Sequence, residues 1–208
     1  MATRWIELAT LFFIAPSVLA IYMRGYLVFP AIWTLAALCL VMLMRDPSFE
    51  RWRLANGAGF RRGLAPIVAV FAVSGACLTA ALLIYDSPRF LSLPRERPVL
   101  WAIIMVGYPI LSVYPQEIAF RAFFCHRYER LMSRWVFVGV SAAAFGFAHI
   151  IMHNPVAVLF STVGGALFML TYQRTRSLLA CAFEHAIYGC FLFTIGWGSY
   201  FYGGAIGR

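Results

Sequence analysis

The chain has 208 residues, of which 62% are hydrophobic and only 12% are charged, with a formal net charge of +9. Soluble domains are about half apolar and about a quarter charged, so this chain lacks the polar surface that a water-soluble fold requires. All its basic residues are arginines, and most lie in short gaps between apolar runs, which is typical of membrane-protein loops and not of a nucleic-acid-binding face. We therefore expect an all-α, polytopic transmembrane bundle that has the lipid bilayer as its environment and no nucleic-acid partner.

Seven apolar runs are long enough to cross a bilayer, which takes about 20 residues of helix. Backbone groups in hydrocarbon must be paired within their own segment, so we expect these runs to be helices. They are Trp5–Tyr22, Tyr26–Met44, Leu64–Tyr85, Pro98–Pro115, Trp135–Met152, Pro155–Tyr172 and Leu178–Trp197. The Phe-rich but charged segment between Pro115 and Arg134 either continues the Pro98 helix with a bend at Pro115 or forms a separate helix. The sequence therefore predicts seven to eight helices.

The predicted bundle is a single membrane domain over residues 1–208, because no internal repeat or low-complexity linker divides the chain. Within it we expect residues 1–97 to form spans without chemistry and residues 98–197 to carry the catalytic helices. A cytoplasmic N-terminus places most loop arginines on the cytoplasmic side, as the positive-inside rule favours. The other side then has only Arg24, Arg89, Arg95, Arg97 and Arg208. We expect a multi-pass protein of the cell inner membrane.

Ionisable residues at membrane depth are energetically costly, so each is a candidate for function. Glu117 and Arg121 are four residues apart and therefore lie on one face of a helix. Two interpretations stay open. The pair is either an ion pair that serves packing, or Arg121 keeps Glu117 ionised and oriented so that it acts as a base.

Two further segments carry candidate polar residues. His149 follows a run rich in small residues, which brings helix backbones close together. The simpler interpretation is a histidine bonded to a carbonyl at a helix end. Glu184 and His185 interrupt the last apolar span, either as polar packing groups or as part of a site, and Ser161 and Gly165 on the preceding span form a predicted packing face for it.

Three helices that bring carboxylate and imidazole groups together suit hydrolysis by an activated water. A carboxylate and an imidazole can share the abstraction of a proton. A second imidazole can stabilise the oxyanion that develops on the attacked carbonyl.

These residues resemble the CAAX-protease and bacteriocin-processing family of intramembrane endopeptidases. The first family motif, Glu-Glu-x-x-x-Arg, is similar to Gln116-Glu117-x-x-x-Arg121 in this chain. The second, Phe-x-x-x-His, is matched by Phe145 and His149, and the third begins at His185 and ends at Gly189. The resemblance covers roughly residues 98–197. It implies a bacterial membrane protein with an eight-helix bundle and a cavity open to the cytoplasm, in which a glutamate and the second-motif histidine activate water and the third-motif residues bind the oxyanion.

The chain departs from the family pattern at two positions. The family base falls on Gln116, and the family asparagine or similar residue at the end of the third motif falls on Gly189, which has no side chain. Either Glu117 has taken over as the base, or the chain has lost the chemistry. Asn154 and Tyr188 are the two candidates for the missing donor.

The leading hypothesis is an intramembrane endopeptidase that cleaves membrane-associated proteins or peptides. Its predicted base is Glu117, with His149 positioning the water and His185 donating to the oxyanion. Arg121 orients Glu117, and Gln116 and Glu184 are supporting hydrogen-bonding groups. Glutamate and histidine are competent zinc ligands, but the chain has no HExxH pair, so we predict no metal and no cofactor.

Two alternatives stay open. One is a catalytically inactive relative that acts as a membrane scaffold or immunity protein. The other is a proton-coupled transporter, for which buried glutamate, arginine and histidine are also typical, although the chain shows no paired half-repeats.

Overall fold

The computed structural model describes residues 1–22 and 27–202, and within these residues seven helices are long and apolar enough to cross a membrane. We label them α1 to α7 in chain order. Their bounds are Ala2–Tyr22, Val28–Arg45, Gly57–Tyr85, Pro98–Leu131, Arg134–Met152, Pro155–Thr175 and Leu178–Ile195. The predicted all-α polytopic bundle of seven to eight helices is confirmed, and the chain is a multi-pass membrane protein. Arg24 and Arg208, which entered the predicted orientation, and the predicted helix start at Tyr26 lie outside the described residues.

Helix α4 is a continuous segment of 34 residues, so the charged stretch after Pro115 continues the Pro98 helix. Proline removes a backbone donor and its ring clashes with the preceding turn of an α-helix. A π-helical segment over Pro109–Val113 lies between Pro109 and Pro115, and a second such segment follows at Ile118–Phe123. Local π-helical turns of this kind often accompany functional sites.

Helices α5 and α6 make the most extensive contact in the bundle. Gly146 faces Thr162 so closely that a Cβ atom at Gly146 would overlap the threonine hydroxyl. The sequence prediction that Ser161 and Gly165 form a packing face for α7 is wrong for Gly165, because the nearest atoms to that glycine belong to Ala142 and Phe145 of α5. Small residues thus bring α5 against α6, as is usual in membrane bundles.

Helix α1 is tied to the end of α4 by a bidentate ion pair. Nε and Nη2 of Arg127 donate to the two carboxylate oxygens of Glu7 at 2.9 and 3.0 Å, and the Tyr128 hydroxyl donates to the same carboxylate at 2.8 Å. A planar guanidinium fits a carboxylate in this two-point geometry. The contact fixes α1 against the helix that carries Glu117 and Arg121.

Polar contacts join the loops at the arginine-rich end of the bundle. Asn56 caps α3 by accepting from the Gly59 N–H and also donates to the carbonyl oxygens of Thr175 and Arg176. Arg176 forms an ion pair with Glu129 of α4 at 2.8 Å. These contacts hold the ends of α3, α4 and α6 together.

Asp46, just after α2, contacts α4 at the same end of the bundle. Its carboxylate accepts from the Ser48 hydroxyl and lies 3.0 Å from Nε2 of His126. The hydrogen bonds from Ser48 and then from His126 lower the pKa of the Asp46 carboxyl below its ordinary value. Asp46 therefore stays ionised and links the α2–α3 loop to α4.

Candidate functional site

Glu117 and Arg121 form a fully buried ion pair on α4. Both side chains are 0% exposed, and Nε of Arg121 lies 3.3 Å from Oε2 of Glu117. The four-residue spacing places the two groups on one helix face, as the sequence predicts. Since a buried charge is costly without a partner, the pair holds both groups in place.

The Arg121 guanidinium is enclosed by aromatic rings from two other helices. Its Cζ lies 4.7 Å from the ring centroid of Phe145 and 5.6 Å from that of Phe168, within the range of cation–π attraction. Nη1 donates to the backbone oxygen of Phe120 at 2.9 Å, whereas neither Nε nor Nη2 makes a hydrogen bond. The aromatic faces therefore provide the stabilisation that a full set of acceptors would otherwise give.

His185 on α7 connects directly to Glu117. Its Nδ1 lies 2.9 Å from Oε1 of Glu117, and its ring stacks on Phe168 with centroids 4.7 Å apart and an interplanar angle of 22°. A carboxylate can only accept, so Nδ1 carries a proton and donates it to Glu117. Glu117 thus lies between a guanidinium on its own helix and an imidazole on α7.

The other ring nitrogen of His185 has a partner that the sequence did not indicate. Nε2 lies 3.0 Å from the hydroxyl oxygen of Tyr108, which is on α4 nine positions before Glu117. Nothing in the local pattern marks Tyr108, because it lies in an uncharged apolar run and meets His185 only through the packing of α7 against α4. The predicted donors have other partners, since Tyr188 bonds to Ser74 and Asn154 caps α6.

His149 lies at the end of α5, where the helix tightens into a final turn over His149–Met152. Its Nδ1 lies 2.8 Å from the backbone oxygen of Phe145, as the simpler sequence interpretation expects. A carbonyl oxygen only accepts, so Nδ1 is the protonated nitrogen and Nε2 keeps its lone pair if the ring is neutral. The rings of His149 and His185 both pack edge-on against Phe145, with centroid distances of 5.0 and 5.5 Å.

Gln116 and Glu184 lie beside this group without joining its hydrogen bonds. The Gln116 amide donates to the Ser112 hydroxyl at 2.8 Å, one turn earlier on α4. Glu184 is 1% exposed, and its Oε2 has no hydrogen-bond partner. The described geometry thus unites Glu117, Arg121 and His185 and adds Tyr108.

No metal site is evident among the described residues. In residues 1–22 and 27–202, no group of three or more histidine, cysteine, aspartate or glutamate side chains is arranged to hold a metal ion. His153, four residues after His149, lies in the left-handed backbone region with φ of 50° and marks the end of the helical turn.

The part of the chain that carries these residues matches a known family. Residues 98–191 match the family model described as type II CAAX prenyl endopeptidase Rce1-like. This segment is Rce1-like. The match confirms the resemblance drawn from the three motifs, and it supports a role as an intramembrane endopeptidase. The Rce1-like segment begins at the first residue of α4 and includes Glu117, His149 and His185. No curated protein and no solved structure matches the chain significantly.

Proposed function

We propose that the chain hydrolyses peptide bonds of membrane-associated proteins or peptides by means of a water molecule activated by glutamate and histidine. The observation that best supports this proposal is the 2.9 Å contact between Glu117 and His185. The two residues come from α4 and α7, and both side chains are almost completely removed from solvent. A structural ion pair needs only Glu117 and Arg121, whereas an imidazole bonded to the same carboxylate is an arrangement that catalysis uses to orient a histidine.

His149 is the proposed proton acceptor. Its Nδ1 is committed to the Phe145 carbonyl, so the lone pair on Nε2 is available to a water molecule. Unlike Glu117, the residue is not completely enclosed by the rest of the chain. This assignment extends the sequence-based prediction, in which His149 positions the water.

Glu117 acts through His185 in this proposal. Its oxygens face Arg121 and His185, and the side chain is 0% exposed, so water reaches Glu117 directly only if His185 moves away. By accepting from Nδ1, Glu117 fixes the orientation of the ring. The direct role of Glu117 as the base stays a prediction, as do the supporting roles of Gln116 and Glu184.

In the proposed reaction the same proton moves in two steps, first to His149 and then to the leaving amine. His149 Nε2 takes a proton from water as the water oxygen bonds to the peptide carbonyl carbon, and the carbonyl π electrons move to oxygen. Hydrogen bonding from the part of the site around His185 stabilises the resulting oxyanion. The carbon–nitrogen bond then breaks, and the proton on His149 passes to the leaving amine, giving a carboxylic acid and an amine.

The proposed location is the cell inner membrane, with the N-terminus in the cytoplasm. The supporting observation is the arginine distribution, in which Arg4, Arg127, Arg134 and Arg176 fall on one side of the bilayer under this orientation. The proposed partners are the lipid bilayer and a membrane protein or peptide substrate.

One observation favours a second candidate function. A neutral amide at position 116 stands where the family has a glutamate, and it is engaged with Ser112 instead of the Glu117–His185 pair. The second candidate is an inactive relative that uses the same bundle as a membrane scaffold or immunity protein.

The deciding experiment compares wild type with Glu117→Gln, His149→Ala and Gln116→Glu, each purified in detergent and compared at matched thermal stability. Each protein is incubated with solubilised host membrane proteins, and new peptide termini are read by mass spectrometry. Glu129→Gln is the matched control, because Glu129 is also an ion-paired glutamate of α4 but pairs with Arg176 at the end of the helix.

We expect wild type and Glu129→Gln to generate the same termini and both Glu117→Gln and His149→Ala to generate none. Termini that appear only with Gln116→Glu would establish the inactive relative. Absence of new termini with every protein would refute the proposed hydrolysis. The alternative of a proton-coupled transporter is tested separately, by measuring proton flux in liposomes that contain the protein.

A further inference from the structure

Tyr108 is the last member of a chain of polar contacts that begins at Arg121. The guanidinium of Arg121 faces Glu117, Glu117 accepts from Nδ1 of His185, and Nε2 of His185 meets the Tyr108 hydroxyl at 3.0 Å. Each group except Tyr108 has charged or hydrogen-bonding partners on both sides. The Tyr108 hydroxyl has one such partner in the described contacts, and its single O–H is free to donate elsewhere when Nε2 of His185 carries a proton and donates to the tyrosine oxygen.

Solvent exposure increases along this chain. The side chains of Arg121 and Glu117 are 0% exposed and that of His185 is 7% exposed, whereas Tyr108 is only partly buried. Tyr108 is therefore the least enclosed member of this chain of contacts. The charged groups Arg121 and Glu117 lie at the buried end of this chain of contacts, and Tyr108 lies at its other end.

The position of Tyr108 depends on the absence of a side chain at Gly189. A Cβ atom built at Gly189 would overlap Cε1, Cζ and the hydroxyl oxygen of the Tyr108 ring. Phe193, one turn further along α7, packs edge-on against the other part of the ring with centroids 5.5 Å apart. Glycine at 189 therefore leaves room for the phenol, which occupies the space next to His185 that a side chain at 189 would otherwise fill.

We propose that Tyr108 is a catalytic residue whose hydroxyl donates a hydrogen bond to the carbonyl oxygen of the scissile peptide. This inference rests on the proposed hydrolysis. When His185 is protonated on both nitrogens, Nδ1–H donates to Glu117 and Nε2–H donates to the tyrosine oxygen. The tyrosine O–H then points to the substrate, and its hydrogen bond strengthens as negative charge develops on the carbonyl oxygen. No bond to Tyr108 forms or breaks.

The alternative role for Tyr108 is packing alone, and removal of the hydroxyl separates the two roles. Tyr108→Phe keeps the ring that fills the space over Gly189 and removes only the proposed donor. Tyr114→Phe is the matched control, because Tyr114 is on the same helix and is 38% exposed. The substrate for these assays is a synthetic peptide that spans a cleavage site found by mass spectrometry.

We expect Tyr108→Phe to lower kcat about 100-fold with little change in KM, which is the usual effect of losing one oxyanion donor. Tyr114→Phe should keep the wild-type kcat, and all three proteins should unfold at similar temperatures. We expect Gly189→Asn to lose activity because it displaces the ring. Tyr108→Ala with Gly189→Asn should recover part of the activity, since the amide supplies a donor in the vacated space.

A second measurement tests the contact between His185 and Tyr108 without any cleavage of substrate. In ¹⁵N spectra of histidine-labelled protein, with His185→Asn used for assignment, Tyr108→Phe should shift the Nε2 resonance of His185 and leave that of His149 in place. If wild type cleaves and Tyr108→Phe cleaves equally fast, the role of Tyr108 is refuted while the proposed hydrolysis stands. If wild type itself cleaves nothing, the proposed function fails and the catalytic role of Tyr108 fails with it.

Discussion

Replacing Arg121 with methionine tests whether the buried charges depend on one another. The substitution removes the positive charge 3.3 Å from Oε2 of Glu117, an attraction of about 5 kcal/mol at an effective dielectric constant of about 20. Desolvation of both groups offsets part of this attraction, and breaking a buried pair by removing one partner costs about 3–5 kcal/mol. Methionine retains apolar contact with Phe145 and Phe168, so we expect the free energy of unfolding to fall by about 4 kcal/mol.

Thermal unfolding of the purified protein in detergent, followed by circular dichroism, measures this loss. For a chain of this size, about 4 kcal/mol corresponds to a Tm decrease of roughly 10 °C. The double variant Arg121→Met with Glu117→Gln removes both charges, so no uncompensated charge remains. We expect it to unfold at a higher temperature than Arg121→Met alone, with a coupling free energy of about 2 kcal/mol or more.

Two results would refute this reasoning. One is an Arg121→Met protein that unfolds at the wild-type temperature, which would mean that Glu117 does not need the guanidinium. The other is a double variant whose loss of stability equals the sum of the two single losses, since independent sites behave additively.

Two further predictions concern packing and pH. Gly146→Ala should lower the free energy of unfolding by about 1–3 kcal/mol, because its new Cβ overpacks the contact with Thr162. Gly139→Ala is the control, since no atom lies within 4 Å of its new Cβ, and it should not lower the free energy of unfolding. Thermal unfolding of both variants measures the difference. Because the hydrogen bonds from Ser48 and His126 lower the pKa of Asp46, this carboxylate stabilises the fold above its ordinary pKa of 3.8, and the contribution is lost as the pH falls through the lower folded value. Asp46→Asn should therefore unfold with a weaker dependence on pH below about 4 than wild type, and equal slopes would contradict this assignment.

The helices could be predicted from the sequence because the bilayer permits few alternatives. Long apolar runs must form helices in hydrocarbon, and the seven predicted runs correspond to α1–α7. The continuity of α4 could not be decided in advance, because proline permits either a break or a local π-helical adjustment. The adjustment occurs, and it carries α4 on to Leu131.

The site was predictable where spacing along one helix determines it. Glu117 and Arg121 are four residues apart, so a helix necessarily brings them together. The contact between Glu117 and His185 requires knowledge of how α7 packs on α4, which no local pattern contains. Tyr108 was missed for the same reason, and the one sequence signal that could have indicated it is the glycine at 189, which marks a close approach.

The length of α4 sets the expected depth of the candidate site in the bilayer. Arg127 is ten positions after Glu117, which at about 1.5 Å per residue is about 15 Å, or half of a hydrocarbon core of about 30 Å. With Arg127 at the headgroup level, as is usual for arginine, Glu117 would lie near mid-depth. A transmembrane segment at that depth has its carbonyl groups bonded within its own helix. If the chain cleaves peptide bonds as proposed, a transmembrane substrate must unwind locally before its carbonyl can accept a new hydrogen bond, which favours segments interrupted by glycine or proline over uniformly apolar helices.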